Sequence, residues 1–474
     1  GVRLVGSEMC IRDSMSADWS SMKISDVAYY RNNKRVPLKS LDRAKRQGIY
    51  PYYGASGVVD YIDDYIFNGT YLLISEDGEN LRSRKTPLAF KAHGKFWVNN
   101  HAHILEEKEE GILDYLEYYF SQLDLTPYIT GAVQPKLNKA NLDAIEIPVP
   151  PLEERRAING TLNSLTYKIE LNHQINQTLE QMAQAIFKSW FVDFEPVKAK
   201  IAALEAGGSE EDALLAAMQA ISGKGEAELT RLQAEQPEQY AELRATAELF
   251  PSAMQDSALG EVPKGWGVSQ IGDEVTVVGG GTPSTKNPDF WNSGEINWTS
   301  PKDLSNLADK VLVETERKVT EAGLAKISSG LLPVDTVLMS SRAPVGYLAL
   351  AKIPVAVNQG YIAMKCEKAL SPEFVIQWCA AHMDEIKSRA SGTTFAEISK
   401  KNFKIIPVVM PTESLISIYS KQASSLYEAI ENNVRESDTL AKLRDSLLPK
   451  LLSGELSVSD VESHIADEAE PANV

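Results

Sequence analysis

The sequence predicts an α/β (α+β) fold in which two similar domains are separated by two long helices. The helices form an intramolecular antiparallel coiled coil, and the whole is a pseudo-twofold internal repeat. Three observations predict it. Residues 131–186 laid over residues 392–447 without a gap match at twelve of fifty-six positions, where composition alone gives roughly three. Short strand-like segments precede each copy, and a long run with apolar residues stepping by three and four follows each. A constant spacing of 261 residues is that of a duplicated domain with its connector rather than of a solenoid unit.

Residues 1–14 (GVRLVGSEMCIRDS) share nothing with the repeat and resemble translated adapter sequence, so a non-native prefix ahead of Met15 is expected. The first domain is expected over 15–150 and the second over 263–411. The first opens on Trp19 with Ile24 and Asp26, the second on Trp266 with Ile271 and Asp273, an offset of 247. The second copy thus carries fourteen more residues before the constant spacing begins, and insertions of that kind belong in loops. Strand signals in the first domain are Tyr71–Ser75, Lys95–Asn100 and Ala102–Leu105; in the second they are Ile296–Ser300, Thr336–Ser341, Tyr347–Ala351 and Val355–Met364. A helix-period stretch follows in each, Ile112–Leu123 and Pro372–Arg389, and then a last strand, Ile145–Val149 and Ile405–Met410.

Gly131, Lys139, Asn141, Ile145 and Pro150 recur as Gly392, Lys400, Asn402, Ile406 and Pro411. Beyond each proline a helix is expected, over 151–194 and over 412–453. Its seam in the first copy is Ile158, Leu162, Leu165, Ile169, Asn172, Asn176 and Leu179, and in the second Tyr419, Ala423, Leu426, Ile430, Asn433, Ser437 and Leu440. Asn172 and Asn433 hold the same seam position, where a polar residue selects register and partner at a cost in stability. Being on one chain, each helix is the other's expected partner. Between them, residues 195–262 are rich in Ala, Glu and Gln and read as a partly helical acidic linker; residues 454–474 read as an acidic disordered tail.

The net charge of −17 argues at first against a polyanionic ligand. Residues 195–261 and 453–474 together hold −14 of it, so both domains are nearly neutral. The first domain carries a basic run, Arg31, Lys34, Arg35, Lys39, Arg43, Lys45 and Arg46, against the single acid Asp42. A phosphate-binding edge and a plain solvated surface suit such a run equally. No apolar run approaches the roughly eighteen residues of a membrane span. Three cysteines, Cys10, Cys366 and Cys379, make neither a disulfide framework nor a zinc site, so a reducing cytoplasm is the expected location.

Several motifs imitate chemistry without completing it. Asn287–Phe290 (NPDF) lacks the second proline of an adenine-methyltransferase pocket, and Gly279–Lys286 (GGGTPSTK) lacks the Gly before and the Ser or Thr after the lysine of a phosphate loop. His101 and His103 have no third metal ligand nearby, and a hydrogen-bonded structural or ligand-facing role suits them better. Glu76, Asp77 and Glu79 read as a turn around Gly78 rather than as a nuclease cluster.

Other stretches carry a specific resemblance: Asn172–Val197 (NHQINQTLEQMAQAIFKSWFVDFEPV), Leu440–Leu456 (LAKLRDSLLPKLLSGEL), Pro263–Trp266 (PKGW), Ile147–Glu154 (IPVPPLEE), and Pro51–Ile62 (PYYGASGVVDYI) with Phe96–Ile104 (FWVNNHAHI). In their order along the chain they resemble the specificity subunit of type I restriction-modification systems, from about Met15 to Leu456. The resemblance implies two target-recognition domains that each read half of an asymmetric bipartite DNA site. It also implies helices that act as a ruler and dock two methyltransferase subunits, and motor-nuclease subunits that join them. A helix from Leu152 to Ser189 is on the order of 55 Å long, more than one turn of DNA at roughly 34 Å. The chain itself is expected to be non-catalytic, to bind no metal and to hold no cofactor, with S-adenosylmethionine, ATP and Mg on the partner subunits. The alternatives are a recognition subunit of a related methyltransferase-only or type II-like system, a chain that is itself a methyltransferase or nuclease, and a coiled-coil scaffold unrelated to DNA.

Major-groove readout favours Arg on guanine and Asn or Gln on adenine. The candidate DNA contacts are therefore Arg82, Arg84, Lys85, Lys91 and His101 with Arg31, Lys34, Arg35, Arg43, Lys45 and Arg46 of the basic run in the first domain, and Lys286, Lys302, Arg342 and Gln359 in the second.

Overall fold

The computed structural model describes residues 19–131, 133–392 and 396–458. The expected prefix, Met15 and the acidic tail from residue 459 lie outside the described residues. The chain divides into two units, residues 1–168 with 439–474, and residues 169–438. Each division falls inside a long helix.

In the first unit β1 (Ser20–Met22) leads through the one-turn helix α1 (Ile24–Val27) to β2 (Ala28–Tyr30). There follow α2 (Ser40–Arg43), the hairpin β3 (Gln47–Gly54) and β4 (Gly57–Ile62), then β5 (Phe67–Ser75), α3 (Asn80–Ser83), β6 (Ala89–Val98) and β7 (Ala102–Glu107). The domain closes with α4 (Ile112–Gln122), α5 (Lys139–Asp143) and β8 (Ile147–Val149), and the chain enters α6 (Leu152–Phe191). The six-stranded sheet has the order β2-β7-β5-β6-β3-β4, with only β3 and β6 parallel. Strand β5 lies inside it, and Tyr71–Ser75 are all buried, as a strand covered on both faces requires. Helix α4 covers the sheet with Ile112, Leu113, Tyr115, Leu116 and Phe120 at helical spacing. Strands β1 and β8 pair antiparallel and tie the start of the domain to its end.

The second unit begins its own strands with the hairpin β9 (Met254–Ser257) and β10 (Gly260–Pro263), after four helices: α7 (Glu195–Glu205), α8 (Glu210–Ser222), α9 (Glu226–Glu235) and α10 (Pro237–Glu248). The domain proper runs β11 (Gly267–Gln270), α11 (Ile271–Glu274), β12 (Thr276–Val278), β13 (Ile296–Thr299), α12 (Pro301–Ser305), β14 (Val311–Leu312), β15 (Arg317–Val319), α13 (Glu321–Leu324) and β16 (Thr336–Ser340). It continues with β17 (Leu348–Ala351), β18 (Ala356–Val357), β19 (Tyr361–Lys365), α14 (Pro372–Ala381), α15 (Met383–Ser388), α16 (Lys400–Lys404) and β20 (Pro407–Met410), then α17 (Glu413–Ser453). Its five-stranded sheet has the order β12-β19-β16-β17-β14 with only β14 and β17 parallel, the order and polarity of the first sheet without β4. Strands β11 and β20 repeat the β1 and β8 pair. A second sheet, β15-β13-β18, has no counterpart among the described residues of the first domain.

Two expectations are corrected here. The stretch Pro372–Arg389 is two helices, broken at His382, whose backbone at φ −102° and ψ 17° leaves the helical region. Residues 195–262 are a folded helical insert rather than a linker: Leu214, Ala217, Met218, Leu229 and Ala247 form a small core, while Val197 and Phe250 join the main core of the unit with Trp190 and Trp266. The acidic residues lie on the outer faces of these helices, and Ser209 caps α8 by accepting from Asp212 N.

Helices α6 and α17 pair antiparallel within each unit. In the first, Ile158 and Leu162 share a core with Leu448, Leu451 and Leu452. In the second, Phe187 packs on Tyr419 with ring centroids 5.8 Å apart, and the Tyr427 hydroxyl donates to Glu180 Oε2 at 2.9 Å. Between these contacts lies a polar layer. Asn172, fully buried, donates from Nδ2 to Ser437 Oγ at 3.2 Å and to Glu436 Oε2 at 2.8 Å, and Asn433 Nδ2 donates to Asn176 Oδ1 at 2.9 Å. Asn172 corresponds to Asn433 and Asn176 to Ser437 at the 261-residue spacing. The two bonds are therefore one bond, made twice by the repeat. Replacing Asn172 with Ala strands the buried Ser437 hydroxyl, and calorimetry should show a loss of about 1–3 kcal/mol in unfolding free energy; an unchanged melting profile would contradict the hydrogen-bonded layer.

Candidate nucleic-acid interface

The candidate site is built on the turn that leaves the central strand of each sheet. In the first domain Ser75 of β5 faces Ala102 of β7, and Glu76 N then donates to His101 O at 2.9 Å. In the second, Ser340 of β16 faces Tyr361 of β19, and Ser341 N donates to Gly360 O at 2.8 Å. A returning loop closes over each turn: Leu137 N donates to Glu76 O at 2.8 Å, and Ile398 N to Ser341 O at 3.0 Å. Those loops, entered by Gly131 at φ 88° and Gly392 at φ 137°, are the same loop at the same spacing. At Gly131 a side chain is impossible, since a Cβ would lie 2.2 Å from Gln134 O.

The basic run of the first domain is neutralised from within. Arg31 pairs with Glu106, Arg35 with Glu76 at 2.5 Å, Arg43 with Asp60 at 2.9 Å, and Arg46 with Asp63 at 2.8 Å while lying over the Trp97 ring. The guanidinium groups brace the sheet; only Lys34, Lys39 and Lys45 of the run stand exposed. Burial alone would raise the Glu76 carboxyl, but the Arg35 hydrogen bond and the charges of His103, Arg35 and Lys136 together hold it below the ordinary carboxylate range. Lys91 is likewise committed, half-buried between Asp114 and Glu117, so it fastens β6 to α4 rather than facing a ligand. Arg82 donates to Gly131 O at 2.9 Å and Arg84 to Leu123 O and Ser121 O, in the connector between β5 and β6, where Arg84 takes a left-handed backbone at φ 49°. Arg84 and the exposed Lys85 line a small cleft of about 300 Å³ with Phe120.

The two histidines divide as their environments dictate. His103 is buried, with Nε2 at 2.7 Å from Leu137 O and Nδ1 at 2.9 Å from Asn32 Nδ2. His101 stands outside, its Nδ1 2.9 Å from both carboxylate oxygens of Asp77. Among the described residues no group of three or more His, Cys, Asp or Glu side chains is placed to hold a metal ion, and no helix is long and apolar enough to cross a membrane.

The second domain brings its candidates together. Lys302 and Arg342 line one cleft of about 460 Å³ with Ser300, Tyr347, Asn358 and Gly360. Gln359 sits at its margin and accepts from Thr282 Oγ1 at 2.6 Å. Arg342 is 3.8 Å from Glu397, and Lys302 is 2.7 Å from Glu316; the arginine is part-exposed and the lysine exposed, so these pairs are weak in water. The glycine run behind the cleft is there for backbone approach and not for phosphate chemistry: a Cβ on Gly280 would lie 1.7 Å from Val357 O. Lys286 is exposed beyond that run and apart from the cleft lining. Another cleft of the second domain, of about 520 Å³, is lined by Lys400, Lys401 and Lys404 with Gln270 and Asp273. Those lysines were absent from the sequence-based candidates, although three lysines in five residues of one short helix were a readable signal.

Both domains thus carry the same turn, with different loops and lysine- or arginine-lined clefts around it. Comparison with known proteins decides the family. The model of the type I restriction modification DNA specificity domain matches this chain twice, over residues 16–181 and 263–417. The chain belongs to the type I restriction-modification specificity family. It is 36% identical over 330 residues to the HindI specificity subunit of Haemophilus influenzae, covering 68% of this chain and 71% of that one. It is 32% identical over 196 residues to the MjaIX specificity subunit of Methanocaldococcus jannaschii, covering 41% and 45%. The crystal structure of a type I S subunit from M. genitalium shares the fold at a TM-score of 0.52 and 14% identity, over 94% of this chain and 98% of that one. This specificity subunit is thus a non-catalytic DNA-recognition component of a type I restriction-modification system.

The buried His103 supplies a pH test of the turn. Burial holds its imidazole below the ordinary value of 6.5, so below pH 6.5 the unfolded chain binds a proton that the folded chain does not. Stability from this group is complete above pH 6.5 and falls as pH drops through it. Unfolding measured from pH 7 to pH 5 should show that decline in the native chain and a shallower one in His103→Gln; parallel curves would contradict it.

Proposed function

We propose that this specificity subunit directs its complex to an asymmetric bipartite DNA site, each recognition domain reading one half. We propose further that it docks methyltransferase subunits, two per chain, and motor-nuclease subunits. The observation that carries the reading is that one strand order is used twice while the loops around the equivalent turns differ. The connector between β5 and β6 spans residues 76–88, whereas that between β16 and β17 spans residues 341–347. A shared frame with different readers suits two unlike half-sites. S-adenosylmethionine, ATP and Mg belong, on this reading, to the partners.

Docking of the methyltransferase on the helices is supported by apolar side chains of α6 left outside its seam, Ile175 at 39% and Met182 at 48% exposure. Co-expression with the methyltransferase subunit and mapping of modified adenines across the host genome should give one motif with two fixed, unlike halves and an unread spacer. A single contiguous motif would contradict it. Ile175→Asp with Met182→Asp should weaken co-purification with the methyltransferase about tenfold at an unchanged melting temperature; unchanged co-purification would move the docking surface elsewhere.

A further inference from the structure

The two domains differ at the turn in a way that exchanges one side chain for another. The isolated bridge that closes the first turn joins Asp77 to Lys136, and the one that closes the second joins Arg342 to Glu397. Lys136 and Glu397 are 261 residues apart, and the hydrogen bonds on either side are the same. Asp77 is therefore the counterpart of Arg342, and His101 is the counterpart of Gly360. The charges of the bridge are reversed between the copies.

The occupancy is reversed with them. In the first domain the exposed nitrogen-bearing side chain comes from the segment entering β7, as His101, with the Asp77 carboxylate on its Nδ1. A carboxylate accepts only, so Nδ1 carries the hydrogen and donates it to the Asp77 carboxylate as a hydrogen bond, and Nε2 is the ring nitrogen left for a ligand. In the second domain Gly360 offers no side chain at that place, and Arg342 from the segment leaving β16 lines the same cleft as Gly360, with Glu397 beside it. The side chains of His101 and Arg342 are 47% and 38% exposed. Each copy thus presents one planar nitrogen group at one junction, backed by one carboxylate, from opposite strands of the same pair. Neither has the buried, multiply bonded surroundings of a bracing group such as Arg35, which donates to Glu76 and to Ala102 O.

We propose that this junction is the equivalent base-reading position of the two domains. Arg342 reads a guanine edge through its forked donors in one half-site, and His101 reads a base edge through Nε2 in the other. The inference rests on the bipartite reading above and adds to it which residues discriminate. Lys136 and Lys302, at the rims of the two junctions, are left to the phosphates.

The test uses the chain assembled with its methyltransferase subunit, a library of duplexes randomised over both half-sites, and a count of modified adenines. Arg342→Ala should relax one guanine position by about 10- to 100-fold in one half and leave the other half intact. His101→Ala should relax one position in the opposite half. Arg342→Lys keeps the charge without the fork, so it should hold affinity for random duplex while losing the guanine preference. Losses equal across all sequences would make these residues phosphate contacts or structural braces and overturn the proposal, as would unchanged targets or two variants that alter the same half. A wild-type assembly that marks no bipartite target would overturn the bipartite reading itself and the junction with it.

Discussion

A polar layer where the duplicated chain meets itself is the constraint on which the rest depends. Antiparallel pairing of α6 with α17 sets Asn172 against Ser437 and Asn176 against Asn433. Because these residues are related by the repeat, the register that satisfies one bond satisfies the other. A slip by one turn would carry both asparagines into apolar layers with no partner, at about 1–3 kcal/mol for each buried amide. This explains why the gapless part of the repeat begins before the helix and continues through it. Length variation in the loops of a domain leaves the register untouched, while an insertion in the seam would destroy it.

Each domain is then fastened to its stretch of helix by different chemistry. In the second unit Glu180 is the centre: Lys310, Gln377 and Tyr427 all donate to it, at 2.7, 3.0 and 2.9 Å. The residue 261 positions on is Ala441, whose side chain cannot accept such bonds in the first unit. There Arg155 donates to Glu110 O, Asn159 to Gly111 O and Tyr118 to Asn163, which anchors the start of α4 on α6. The duplication has kept the frame and replaced the fasteners. The same holds at the reading turns, where backbone bonds are preserved and the charges are exchanged.

Much of this was legible in the sequence for a simple reason: what repeats without gaps is what geometry forbids to vary. The last strand, the proline boundary, the seam and its asparagines all lie in the gapless stretch. Of the sheet β15-β13-β18, the strand signals at Ile296–Ser300 and Val355–Met364 cover β13 and β18, whereas β15 is only three residues long, gives no signal of its own and has no second copy for comparison. The helical insert was misread because its charge masks a narrow apolar stripe of Leu214, Ala217 and Met218. At the site, Lys302, Arg342 and Gln359 do lie in or beside one cleft. The basic run misled because its neutralising carboxylates are distant in sequence: Glu106 is 75 residues from Arg31, and Glu76 is 41 from Arg35. Composition counts such charges as free, and only the folded sheet shows them spent.

The central claim is that the chain is one recognition device used twice, with its readers confined to the domains. It is tested most directly by replacing residues 24–149 with a second copy of residues 271–410, assembling the product with the methyltransferase subunit and mapping the adenines it modifies. The account predicts a target whose two half-sites are the same. Half-sites that still differ, from a chain that assembles and modifies DNA, would contradict it.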